Sequence, residues 1–165
     1  MNKGEKARQY QDTVFRMYFN DAGRLRELAG ALHGRTYTMD DPLKIVTLDG
    51  TFLSQVKNDI SFLLAGRHLV FIEHQSTPNA NMPLRFLQYV ARLYECIQNP
   101  RDRYLRRLKK VPTPEFYVFY NGEEDYPEKA TLRFSDAFMA MSEKPALELI
   151  VSVRNINYTK DSKIL

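Results

Sequence analysis

The sequence is short of cysteine and of long apolar runs, and each shortage removes a class of protein. Cys96 is the only cysteine among 165 residues, so no intrachain disulfide can form, which points to a reducing, intracellular compartment. No stretch approaches the roughly 20 consecutive apolar residues that a membrane-spanning helix needs, and the polar start Met1-Asn2-Lys3-Gly4-Glu5-Lys6 is no secretion signal. A soluble, cytoplasmic protein with no membrane partner is therefore expected. Strong charge is lacking too. Lys and Arg number 24 against 20 Asp and Glu, and the resulting +4 permits an anionic partner without demanding one. Repeats, low-complexity tracts and linkers are missing, so residues 1–165 read as one domain, whose 44% hydrophobic content can bury a single core. The abrupt end after Tyr158-Thr159-Lys160-Asp161 is compatible with a missing C-terminal extension. His68, His74 and Cys96 lack the tight spacing of a zinc site.

What is present reads as alternating helices and strands. Tyr10, Val14, Phe15, Tyr18 and Phe19 give one apolar helical face over residues 6–19. Asn20 and Asp21 are N-cap types for a second helix through Leu25, Leu28, Ala29 and Leu32, with Gly34 as its stop. Leu43 to Leu48 and Thr51 to Val56 flank the turn dipeptide Asp49-Gly50 and predict strands. A long helix should start near Met82 behind Asn81, bury Leu84, Leu87, Val90, Ala91, Tyr94 and Ile97, and end at Asn99-Pro100. Phe116 to Tyr120 and Leu147 to Val153 read as buried strands, and Lys129 to Met141 as a helix between them. The expected fold is α/β, with a mixed sheet that is antiparallel at first and whose later strands are joined through helices.

The central feature is the stretch from Asn58 to Gln75, two apolar strands around Gly66. A three-residue loop over Ala65 to Arg67 places Asp59 opposite Glu73, where facing residues lie about 4.5–5.5 Å apart at Cβ, whereas a two-residue turn would place it opposite His74. On the first register Asp59, Glu73 and Gln75 share one face. Two ionised carboxylates side by side among apolar neighbours repel, and they call for a compensating cation, of which a divalent metal is the natural candidate.

Asp12-x-x-Phe15, Asn58-Asp59-Ile60, Ile72-Glu73-His74-Gln75-Ser76 and Arg85-x-x-x-Tyr89, in this order and spacing, resemble the recombination-promoting nuclease/putative transposase (Rpn) family. That family lies within the PD-(D/E)xK nuclease superfamily. The resemblance runs from about Asp12 to Asn157 and implies an αβββαβ core with flanking helices. It also implies that Asp59 and Glu73 ligate magnesium, with manganese as a substitute and the His74 backbone carbonyl as a third ligand. Magnesium prefers oxygen ligands and keeps several waters, one of which can attack a phosphodiester. Gln75 stands where the wider superfamily has lysine, so it can orient that water only by hydrogen bonding. Asp12 would be an accessory carboxylate, and Arg85 and Tyr89, four apart on one helix face, accessory groups near the phosphate.

Arg101, Arg103, Arg106, Arg107, Lys109 and Lys110 form the densest charge in the chain and are expected to contact phosphates. The leading expectation is thus a magnesium-dependent DNA endonuclease of the recombination-promoting kind. A catalytically inactive nucleic-acid-binding module on the same fold is the alternative, and an assembly domain that binds no DNA is a third class. An oligomer is compatible with any of them.

Overall fold

The computed structural model describes residues 13–47 and 58–157. Within them two helices, three strands, a long helix and three more strands follow one another: α1 (residues 13–19), α2 (Ala22–His33), β1 (Leu43–Ile45), β2 (Ile60–Leu64), β3 (His68–Gln75), α3 (Met82–Ile97), β4 (Thr113–Tyr120), β5 (Lys129–Arg133) and β6 (Ile150–Asn155). The six strands make one mixed sheet in the order β1-β2-β3-β4-β6-β5. β1, β2 and β3 form an antiparallel meander, and α3 then returns the chain so that β4 lies parallel to β3. No helix among the described residues is long and apolar enough to cross a membrane.

Strand periodicity divides the core in two. Along β3, Leu69 and Phe71 join Phe86, Phe116, Val118 and Val151 under α3, whereas Val70 and Ile72 join Leu25, Phe62 and Phe119 under α2. Both faces of β3 and β4 are thereby covered, which suits their near-continuous apolar character. The helix signals act as expected at α2. The Asp21 carboxylate accepts from the Arg24 amide at 2.9 Å, and Gly34 adopts the left-handed conformation (φ 64°) while its N–H reaches the Gly30 carbonyl. Asn81 does occupy the N-cap position of α3, but its side chain makes no capping hydrogen bond.

Several expectations need correction. Residues 129–141 are not helical: Lys129–Arg133 is an edge strand antiparallel to β6, and a 3-10 turn follows at Phe134–Ala137. Ala130 and Leu132 turn inward while Lys129, Thr131 and Arg133 face solvent, a period of two that a helix cannot satisfy. The return from β4 to its parallel neighbour β6 therefore runs through β5 and a loop, not through a helix. The buried stripe of α3 is also rotated. Met82, Phe86, Tyr89, Val90 and Leu93 face inward, Leu87, Tyr94 and Ile97 are half-buried, and Leu84 and Ala91 face solvent. Two apolar series run along this helix, and the one with Phe86, the larger side chain, wins the core because it removes more area from water. The expected strand at Thr51 to Val56 and the start of the first helix, with Tyr10, lie outside the described residues.

Phe86 is fully buried against the rings of Phe71, Tyr89 and Phe116. Phe86→Ala should lower stability by about 3–5 kcal/mol, whereas Leu84→Ala should change it by no more than about 0.5 kcal/mol. Urea unfolding of the two variants checks this, and equal losses would contradict the orientation of α3.

Candidate functional site

The turn between β2 and β3 sets the site. Ala65 and Gly66 both take positive φ (51° and 62°), and the Arg67 N–H closes on the Leu64 carbonyl at 3.0 Å, so the loop spans three residues before Leu64 meets His68. Glycine takes this conformation readily, whereas Ala65 adopts it at the cost of its Cβ. With Leu64 opposite His68 and Ile60 opposite Ile72, Asp59 falls opposite Glu73 one step further on.

The two acids interlock through the backbone. Glu73 Oε1 accepts from the Asp59 N–H at 2.9 Å, and Asp59 Oδ2 accepts from the His74 N–H at 3.0 Å. A guanidinium meets each remaining oxygen. Arg85 Nη2 lies 2.9 Å from Glu73 Oε2, and Arg16 Nη2 lies 2.7 Å from Asp59 Oδ1. Arg85 is itself held by the Tyr89 hydroxyl, which accepts from Nε and Nη2 at 3.1 and 2.9 Å. Tyr89 and Arg85 thus reach the site through Glu73. Burial in the first place raises the Tyr89 pKa, which keeps that hydroxyl protonated.

Electrostatics single out Glu73. Its side chain is 2% exposed, and burial, with the Asp59 charge second, pushes its pKa up to about 8 against the opposing pull of Arg85. Near neutral pH this carboxyl therefore keeps its proton for much of the time unless more positive charge arrives. Asp59 faces outward by comparison. It borders a cleft of about 430 Å³ lined also by Arg16, Met17, Asn20, Ile45 and Thr47.

The remaining expected residues divide. Gln75 lies two residues beyond Glu73 on the same face of β3, beside Met82 and Tyr120, and among the described residues its side chain enters no hydrogen bond. The His74 ring turns to the other face and stacks on Phe15 at 5.0 Å, so only its backbone can serve the pair. Asp12 lies outside the described residues. Arg101, Arg103, Arg106, Arg107, Lys109 and Lys110 are exposed, with Lys109 paired to Asp102 at 3.1 Å, but they sit elsewhere. They follow the C-terminal end of α3 and lead into Thr113, which pairs with His68, so five residues of β3, about 17 Å, separate that end of the sheet from Glu73. Sequence reasoning missed Arg16. Its position one residue after Phe15, on a helix just before the capped α2, was the available signal.

The donor set suits a hard divalent cation: two carboxylates side by side, with oxygen donors and no nitrogen or sulfur, one of them raised in pKa by burial and by the charge of the other. A family model described as putative transposase, YhgA-like, matches residues 39–159. The match includes Asp59, Glu73, Gln75, Arg85, Tyr89 and the basic run, and it leaves out Arg16. No curated protein and no solved structure matches the chain.

Folding carries Glu73 from the ordinary glutamate value of 4.5 up to about 8. Between those values the folded chain holds a proton that the unfolded chain has released, so this contribution to stability is complete below the lower value and is lost as pH rises through the upper one. In EDTA, wild type should therefore lose stability relative to Glu73→Gln, at a limiting slope of about 1.4 kcal/mol per pH unit within that window. Denaturant titrations at a series of pH values measure the difference, and a difference that does not vary with pH would contradict it.

Proposed function

The chain belongs to the YhgA-like putative transposase family, and from that membership and the interlocked carboxylates we propose that it is a metal-dependent DNA endonuclease that hydrolyses phosphodiester bonds at Asp59 and Glu73. The observation that carries the reading is the buried Glu73, held against Asp59 at the rim of an open cleft. A buried carboxyl with a raised pKa, set beside a second carboxylate, serves no packing purpose that an apolar side chain would not serve better, and a perturbed group beside a cleft marks a functional site.

In this proposal Asp59 and Glu73 hold a magnesium or manganese ion, with the His74 carbonyl as the third protein ligand. When bound, the ion supplies positive charge to the phosphate and acidifies an attacking water. The chain's own residues do the rest. Arg85, fixed by Tyr89, keeps Glu73 Oε2 in place, and the mutual backbone hydrogen bonds hold the two carboxylates in register. Gln75, on the Glu73 face, directs the water by a hydrogen bond from its amide, a weaker aid than a lysine ammonium would be. Arg16 presents a cation beside Asp59 on the cleft side, where a phosphate would approach. The exposed basic run grips the DNA backbone farther along.

One observation favours a second reading. All four oxygens of the pair already accept hydrogen bonds from the protein, as befits a nuclease-like module that binds DNA without cutting it. Supercoiled plasmid incubated in magnesium, in manganese and in EDTA separates the two. The nuclease reading expects nicked or linear product with a divalent ion, none in EDTA, and a loss of about 100-fold or more in Asp59→Ala. Gln75→Ala, which removes one orienting hydrogen bond, should slow nicking about fivefold to tenfold. Binding with no product in either metal, unchanged in Asp59→Ala, would favour the module.

The basic run should contact phosphates without reading sequence, because an exposed cluster of Arg and Lys supplies charge but no arranged base-edge geometry. Each contact to duplex DNA adds about 0.9 to the slope of log K against log salt, so Arg103, Arg106 and Arg107 replaced together by Ala should flatten it by roughly two to three units. An unchanged slope would make the run a solvated face.

A further inference from the structure

We propose that His33, His68 and Glu115 form a second metal site, suited to zinc, that ties the end of α2 to the starts of β3 and β4. It is independent of the carboxylate pair. His33 lies in the last turn of α2, His68 opens β3, and Glu115 is the third residue of β4. Glu115 pairs with Val70, two residues beyond His68, so the strand period turns both side chains to the α2 face. Two of the three histidines in the chain thus converge on one carboxylate.

The donor geometry is close. Glu115 Oε2 lies 2.6 Å from His33 Nε2, and Glu115 Oε1 lies 2.7 Å from His68 Nδ1. All three donors fall within 4.8 Å of one another. A tetrahedral zinc with ligand bonds of about 2.0–2.1 Å sets its donors about 3.3 Å apart, so a cation replaces the two bridging protons with shifts below about 1 Å. Two imidazoles and a carboxylate leave a fourth position for water, and His68, 31% exposed, opens the site to solvent.

Neighbouring hydroxyls already fix the ligands. Tyr37 Oη lies 2.6 Å from His33 Nδ1, the partner that a ligating imidazole needs for its second nitrogen, and the Tyr117 hydroxyl donates to Glu115 Oε2 at 3.1 Å. Nitrogen donors distinguish this trio from the all-oxygen pair. Zinc, cobalt and nickel favour imidazole, whereas magnesium favours carboxylate and water.

The test uses the full chain, stripped with EDTA and titrated with cobalt and then zinc. One cobalt per chain should give the visible absorption of a four- or five-coordinate ion, equimolar zinc should abolish it, and zinc should raise Tm. His68→Gln and Glu115→Gln should each weaken, at least tenfold, the cobalt binding that gives this band, Tyr37→Phe by about tenfold, and the band itself should persist in Asp59→Ala. Independently of any variant, zinc should shift the imidazole proton signals of His33 and His68 and leave those of His74 in place. A wild-type chain that gives no cobalt band, a band that survives both ligand variants, or a zinc shift confined to His74 would overturn the site and leave a hydrogen-bonded His–Glu–His clamp.

Discussion

A carboxylate with almost no access to water has to be met by something, and at the end of β3 that requirement falls on Glu73. Transfer of an unpaired charge from water to such a place is prohibitive, so the chain surrounds Glu73 with the Asp59 amide, the Arg85 guanidinium and, below about pH 8, a proton. The first depends on register. A slip of one residue between β2 and β3 would bring His74 opposite Asp59 and take the amide from Glu73. The second depends on the core. Arg85 reaches Glu73 only because Phe86 and Tyr89, its neighbours on α3, are packed on β3 and β4. Site and packing are therefore one system, in which a loss at Phe86 is felt at Glu73.

The same dependence explains which features could be read from the sequence. Gly66 between two apolar runs calls for a short turn, and of the two short turns the three-residue loop places Asp59 opposite Glu73, as found. Asp21 and Gly34 delimit α2 for equally local reasons. Lys129 to Arg133 was illegible because its inward residues, Ala130 and Leu132, are few, and what covers them, β6 and the core under α3, lies about 20 residues or more away in the chain. On α3 two apolar series compete, and the winner is decided by what β3 and β4 offer, which no window of the helix contains. The trio of His33, His68 and Glu115 joins residues 35 and 47 positions apart, and it takes both the parallel register of β3 and β4 and the packing of α2 on that face to bring them together. Arg16 resisted for the same reason: its partner Asp59 lies 43 residues ahead.

The parallel crossover has a further consequence for the basic run. Because α3 begins at the Gln75 end of β3 and returns to its His68 end, the chain is obliged to place residues 101–110 at the far pole of the sheet from Glu73. The separation of about 17 Å equals roughly five nucleotides at about 3.4 Å each along a DNA strand. A duplex held at both poles would present one phosphate at the Asp59 cleft while the arginines, beyond the His68 end of β3, grip others at least that far along. Gripping and cutting would then fall to different segments of the chain. Arg16 is the exception, since it brings a cation to Asp59 itself. It comes from α1, ahead of the residues that the family model matches, so the charge at the cleft is supplied by a part of the chain outside that match.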